Sequence, residues 1–261
     1  MALFAKKSLG QNFLMHRQTA ERIVEAAELP AGATVLEIGP GTGMLTRALL
    51  AKAGKVIAVE ADDRLIPELE TTFAPEIAAK KLELVHADIR AFDATELPGT
   101  YHLVANIPYY ITGELIRTFL SHSHKPQTMT FLVQKEVAER IARSEKESLL
   151  SIAVKAYGTP RYAFTVPRGA FMPAPTVDSA VLHIKDISGS RFSTPAEEEW
   201  FFSILRTGYA HKRKQLAKNL ETLAPRERIL AALTSAGMRI DIRAEELSVD
   251  AWHALAQNLS H

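Results

Sequence analysis

Cysteine is absent from the 261 residues, which excludes disulfides and thiolate metal ligands. No run approaches the ~18 apolar residues that a membrane-spanning helix needs. An excess of one charge is lacking as well: 31 Lys and Arg stand against 30 Asp and Glu, a formal net charge of +1. That balance excludes a chain basic along its whole length, but local basic clusters remain open. Glycine and proline number only 13 each, and no repeat or low-complexity tract occurs, which excludes fibrous and linker-like classes. What remains, 47% hydrophobic and 23% charged, is globular composition, long enough for one large domain or a medium domain with a smaller one. The opening stretch "MALFAKKSLGQNFLMHR" lacks the apolar core and small-residue cleavage site of a secretory leader. The expectation is a cytoplasmic protein with no membrane partner and no metal.

The apolar pattern alternates between two periods. Helical spacing covers 19–29, 42–52, 62–73, 113–121 and 135–143. Compact strand-like runs cover 33–39, 55–61, 81–88, 101–106 and 128–134. Strands alternating with helices predict βαβ units in a parallel sheet covered on both faces. Two further strands, 161–166 and 179–186, are joined by "PRGAFMPAPTVD" with no crossover helix, which predicts an antiparallel pair at the sheet's end. The polar stretch "ISGSRFSTP" then reads as a linker, and everything after it is helical in pattern. The prediction is an α/β domain over 1–188 with a seven-stranded, mostly parallel sheet, and an all-α domain over 189–261.

The strongest local signal is "LEIGPGTGMLT", with Gly39, Gly41 and Gly43 between the first long strand and its helix. Glycine lets the backbone pass close beneath a ligand at the carboxyl end of a parallel strand. A dinucleotide fingerprint needs a third glycine at 44, where Met stands, and no Gly-Lys-Ser/Thr follows for a P-loop. The spacing, preceded by the acid Glu37, resembles the S-adenosylmethionine loop of Rossmann-like methyltransferases. Glu60 ends the second strand seventeen residues past Gly43, near the ~20-residue offset at which an acid takes ribose hydroxyls. Asp88 ends the third and suits an exocyclic adenine amine. Taken singly, each is an ordinary polar strand end; three in succession are not.

The fourth strand ends in "NIPY", residues Asn106, Ile107, Pro108 and Tyr109. Asn and Pro alone make an ordinary turn. The same letters fit the Asn/Asp-x-Pro-Tyr/Phe motif of methyltransferases acting on exocyclic nitrogens. An adenine N6 lone pair is delocalised and weakly nucleophilic. Hydrogen bonds from N6–H to the Asn106 side-chain oxygen and the Ile107 carbonyl favour a more pyramidal nitrogen. No strong base is required, so positioning and electrostatics carry the catalysis. Tyr109 then stacks on the extruded base and Pro108 stiffens the turn. Phe171 is either a second stacking face or a core residue.

The ordered set "GQNFL", "EIGPGTG", "VIAVE", "HAD", "NIPYYIT", "QKEVAERI" and "FMPAPTVDSAV" resembles the ribosomal RNA adenine dimethyltransferases, in particular their bacterial small-subunit branch. The resemblance spans about residues 7–186 and extends to the helical basic region beyond. It implies that Asn12 and Leu14 close over S-adenosylmethionine, that Gly39 underlies its methionine part, and that Glu60 holds the ribose and Asp88 the adenine. Asn106 stands at the methyl-transfer centre. The implied substrate is a pair of adjacent adenines in a hairpin loop near the 3′ end of 16S rRNA. That RNA lies within the small ribosomal subunit or its precursor, and each adenine is methylated twice at N6. A monomer with a role in subunit biogenesis is implied as well.

Basic residues cluster at Lys6 and Lys7, and at Arg206, His211, Lys212, Arg213, Lys214 and Lys218. Such runs are solvated faces or RNA-binding sites. On a continuous helix, His211, Lys214 and Lys218 share one face and Leu216, Leu220 and Leu223 the opposite one, which suits phosphate contacts. Two alternatives stay open: a 23S rRNA adenine N6-methyltransferase of the macrolide-resistance type, and a non-catalytic RNA-binding assembly factor on the same fold.

Overall fold

The computed structural model describes residues 10–260. Contacts group the chain into two compact units. One runs up to Ala138 and resumes over Thr159–Ile187; the other comprises Glu139–Gly158 and the chain from Ser188 onward. Residues 139–158, assigned from the sequence to the first domain, thus group by contact with the second.

In chain order the elements begin with β1 (Phe13–Leu14), α1 (Arg17–Ala26), β2 (Thr34–Ile38), α2 (Met44–Leu50) and β3 (Lys55–Glu60). There follow α3 (Ile66–Thr72), α4 (Ala74–Ala78), β4 (Leu82–His86), β5 (His102–Asn106), α5 (Thr112–Ser121) and β6 (Met129–Gln134). Next come α6 (Lys135–Ala142) and α7 (Leu149–Tyr157), the latter in the second unit, and then β7 (Thr159–Val166), β8 (Phe171–Met172) and β9 (Ser179–Lys185).

Seven strands form one sheet in the order β4-β3-β2-β5-β6-β9-β7. The first five are parallel, and β9 runs antiparallel to both β6 and β7. The central strands are covered on both faces, so Val35, Leu36, Val56, Ile57, Leu103 and Val104 are all buried. On α1, Ala20, Ile23 and Val24 are buried at helical spacing, continued by Ala27 just past its end. Ile23→Ala there costs about 2–5 kcal/mol.

The helix expected over 62–73 is present as α3, with residues 63–65 forming a turn before it and its end at Thr72. The chain turns at Phe73 (φ −113°, ψ 22°) and restarts as α4 with Pro75 in its first turn. The buried Phe73 ring lies where a side chain on Gly43 would sit, only 2.5 Å from a Cβ built there.

The second unit continues with α8 (Pro195–Gly208), α9 (Leu216–Leu220), α10 (Arg226–Ser235) and α11 (Val249–Ser260). Thr194 caps α8 by accepting the Glu197 N–H. Phe201, Leu205, Leu216, Leu220, Leu233, Trp252 and Leu255 form the buried interior. No helix among the described residues is long and apolar enough to cross a membrane.

The continuous basic helix expected through 211–223 is not formed. Helix α8 stops at Gly208, where a Cβ would lie 2.3 Å from the Trp252 ring, and the chain turns until α9 begins. Asn219 holds this turn, its Nδ2 donating to the carbonyls of Gly208 (2.6 Å) and His211 (3.2 Å). Leu216 and Leu220 do face the interior, while Leu223 lies beyond the end of α9.

Candidate active site

The parallel strands end level with one another: Ile38 is in register with Val59 and Ala105, and Glu60 with His86. The strand order reverses between β2 and β5, the position at which open α/β sheets form a crevice. An open cavity occupies that crevice, lined by residues from the ends of β2, β3 and β5 and from the loops that follow them.

Its floor is the loop from β2 into α2. Gly39, Gly41 and Gly43 have φ of 66°, 59° and 79°, a region that disfavours any side chain. At Gly41 a Cβ would also come within 3.0 Å of the Phe13 ring. Above Gly39, the nearest atom to a built Cβ is the Asn106 carbonyl oxygen at 4.0 Å, so the backbone is left open to the cavity.

Glu60 is buried at the end of β3 and lines the cavity. Its two oxygens accept the N–H groups of Asp62 (2.8 Å) and Gly41 (3.1 Å). Burial pushes its pKa up, and those backbone hydrogen bonds pull it back. Each oxygen retains a lone pair for a further donor. Glu37 is fully buried behind the loop, and burial pushes its carboxyl up to about 8, tempered by the neighbouring Thr46 hydroxyl. Neither Glu37 oxygen, nor Thr46 Oγ1, meets hydrogen-bond geometry among the described residues.

Asp88 follows β4 and also lines the cavity. The Arg90 guanidinium (Nη2 to Oδ2, 2.5 Å) and the Arg90 backbone N–H (3.0 Å) hold its carboxyl below the usual range. Sequence reasoning missed Arg90, although its place two residues beyond Asp88 is the ordinary signal for such a capped turn.

Residues Gly10 to Leu14 cross the cavity as a strap. Antiparallel pairing of β1 with β8 holds one end, Phe13 opposite Met172 and Leu14 opposite Phe171. Gln11 Nε2 donates to Asp62 Oδ2 (2.9 Å), and Arg64 grips the same buried carboxylate. Asn12 and Leu14 both line the cavity. The Asn12 carbonyl accepts the Asn106 Nδ2–H at 3.0 Å. Gln11, Asp62 and Arg64 were not legible as site residues, because their association spans 51 positions.

Asn106, Ile107, Pro108 and Tyr109 all line the same cavity. The Tyr109 hydroxyl shares a 2.6 Å hydrogen bond with Ser179 Oγ on β9, which fixes the ring. Burial raises the Tyr109 pKa. Tyr110, also missed, lines the cavity and is 65% exposed, so it presents an open aromatic face. Phe171 is 4% exposed within the core cluster and does not line the cavity. The packing therefore corrects the expectation of Phe171 as a stacking face opposite Tyr109 in favour of its alternative, a core ring.

In the second unit His211, Lys212, Arg213 and Lys214 are exposed on the turn after α8. Lys218 is exposed on α9 and pairs with Glu221 (2.6 Å). Arg206 and Lys212 line a cleft of about 570 Å³ together with Arg140 and Lys146. Lys6 and Lys7 lie outside the described residues. Among the described residues, no group of three His, Cys, Asp or Glu is arranged to hold a metal ion.

The cavity fits S-adenosylmethionine in its donor set: an open glycine floor, a buried carboxylate with free lone pairs, and an acid at the next strand end. A family model described as ribosomal RNA adenine dimethylase matches residues 3–261. The chain is 40% identical to the ribosomal RNA small subunit methyltransferase A of Dehalococcoides mccartyi, covering 97% of this chain and 88% of that protein. It is 36% identical to the protein of the same name in Listeria monocytogenes, covering 97% and 90%. Among solved structures, a dimethyladenosine transferase from Plasmodium falciparum is similar at 28% identity and a TM-score of 0.80, covering 93% of this chain and 95% of that one. The 23S rRNA methyltransferase ErmE is similar at 29% identity and a TM-score of 0.78, covering 96% and 100%.

Proposed function

Because the chain belongs to the ribosomal RNA adenine dimethylase family, we propose that it dimethylates N6 of two adjacent adenines in a hairpin loop near the 3′ end of 16S rRNA. S-adenosylmethionine, when bound, supplies an electrophilic methyl on a positively charged sulfur. Gly39, Glu60 and Asp88 are the residues that hold it, with Asn12 and Leu14 covering it.

Asn106 carries the reading of the chemistry. Its amide lines the cavity with Nδ2 already committed to the Asn12 carbonyl, and Oδ1 has no partner among the described residues. That oxygen accepts an adenine N6–H, and the Ile107 carbonyl accepts the other. The lone pair of N6 is thereby drawn out of ring conjugation and toward the methyl donor. After one methylation a single N–H remains, enough for one of these acceptors, so the arrangement admits a second round. Tyr109 and Tyr110 provide aromatic faces for an extruded base. The basic turn after α8 takes RNA phosphates. The substrate RNA belongs to the small subunit or its precursor, which places the activity in the cytoplasm.

The test incubates small and large ribosomal subunits from cells lacking this enzyme with the protein and methyl-labelled S-adenosylmethionine. Modified nucleosides are then identified by mass spectrometry. Dimethyladenosine in small-subunit RNA alone is the expected result. Label in large-subunit RNA moves the activity to the macrolide-resistance type, and no label with RNA binding intact leaves an assembly factor.

A further inference from the structure

The strap over the cavity does something that a cover need not do. Asn106 has two chemically opposite ends on one amide, and only its oxygen suits a substrate N–H. Rotation by half a turn about the last side-chain bond exchanges them, and an isolated Asn has little preference between the two. Here the Asn12 carbonyl, an obligate acceptor, faces the amide at 3.0 Å and accepts only Nδ2. Oδ1 is left toward the cavity. With the amide reversed, two oxygens confront each other at the strap, and an N–H donor confronts the substrate amine.

The strap is itself pinned on both sides of Asn12. Gln11 Nε2 reaches the Asp62 carboxylate at 2.9 Å, and Asp62 is fully buried. Phe13 sits against Gly41, and Met15 N donates to the Ala170 carbonyl at 2.8 Å. Asn12 also ties its own Nδ2 back to the Gly10 carbonyl (3.2 Å). The backbone carbonyl of Asn12 therefore has a fixed place from which to hold Asn106.

We propose that the strap orients the methyl-transfer centre: Asn12 fixes the Asn106 amide with Oδ1 toward the substrate, and Gln11 is the positioning residue that keeps Asn12 in place. This rests on the role of Asn106 in the proposed function. Its consequence is that loosening the strap reduces turnover in both methylation rounds without a matching loss of cofactor affinity.

The experiment compares wild type, Gln11→Met and Asn106→Asp, each saturated with S-adenosylhomocysteine, by amide hydrogen exchange over residues 10–16. Turnover and S-adenosylhomocysteine affinity are measured alongside. In Gln11→Met, Asp62 keeps its Arg64 partner, so the fold is retained. Exchange at Asn12–Leu14 is expected to speed up and kcat to fall by about tenfold, the scale of one lost hydrogen bond, with Kd changed by less than about threefold. In Asn106→Asp the carboxylate has no proton for the Asn12 carbonyl. At about pH 8 the strap should exchange faster than wild type, and protection should return only as the acid protonates around its ordinary pKa of about 3.9, after correction for intrinsic rates. Unchanged exchange in Asn106→Asp at the higher pH overturns the orienting bond. In Gln11→Met, a loosened strap with undiminished kcat, or a Kd that weakens in step with kcat, overturns the positioning role. If wild type methylates no ribosomal RNA, the functional reading falls instead, and the exchange pattern still decides whether Asn12 holds Asn106.

Discussion

The two units place polar residues by different means. In the first, Gly39, Glu60, Asp88 and Asn106 stand at or just beyond the ends of parallel strands, and the sheet brings them to one cavity. In the second, His211 to Lys214 sit on a turn held by a buried Asn219. A sheet edge offers precise distances suited to a small molecule and a reacting atom. An exposed basic turn offers charge, which suits a long polyanion whose phosphates need no single geometry.

That contrast predicts a graded set of effects. Asn106→Ala is expected to lower methyl transfer by about a hundredfold, as loss of a preorganised polar group at a reacting centre does. RNA affinity, measured by filter binding, should stay near wild type; a parallel loss would erase the division of labour. Glu60→Gln keeps shape but removes charge where Gly41 and Asp62 donate. Cofactor affinity by calorimetry should fall by about 10- to 100-fold, the worth of charge-assisted hydrogen bonds, with RNA binding untouched. Lys212→Glu with Lys214→Glu should weaken RNA about tenfold and flatten its dependence on salt, leaving cofactor affinity unchanged. Losses of both in that variant would point to damage to the second unit rather than to phosphate contacts.

The smallest effect concerns stability alone. Glu37 has a folded pKa raised by burial to about 8, above its ordinary 4.5. The folded state therefore keeps a proton that the unfolded chain gives up, and the contribution of Glu37 to stability declines as pH rises from 4.5 to about 8. Glu37→Gln should raise the melting temperature by a few degrees at about pH 8, with the gain vanishing below the unfolded pKa. A gain independent of pH would show that ionisation of Glu37 is not its source.

The sequence revealed the first unit better than the second for a physical reason. A buried parallel strand is an apolar run, and the polar residue that closes it is visible in the same few letters, as in "VIAVE" and "LVANIPY". Neighbouring ends then meet because the sheet is in register. What escaped was decided by distant partners. Phe73 packs its ring beside Gly43, in a loop thirty residues earlier. Gly208 is the last residue of α8, and Trp252, from the last helix, fills the space a side chain there would need. Gln11 and Asp62 associate across 51 residues, with no local pattern to announce it. Tyr110 and Arg90 sat beside recognised residues, but only exposure and pairing distinguish them from ordinary neighbours.

The placement of β9 between β6 and β7 has a bearing on how the protein comes into being. Strand β7 emerges from synthesis before the strand it pairs with, and Tyr109 emerges seventy residues before the Ser179 that anchors its hydroxyl. A growing chain that already carries Gly39, Glu60, Asp88 and Asn106 still lacks the strand that closes the sheet and steadies the aromatic turn. Such late, non-local pairing carries a large loop-closure cost and exposes unpaired edges meanwhile. The anchor of Tyr109 is therefore in place only when Ser179 joins the sheet with β9, and until then β6 and β7 each lack the neighbour they pair with.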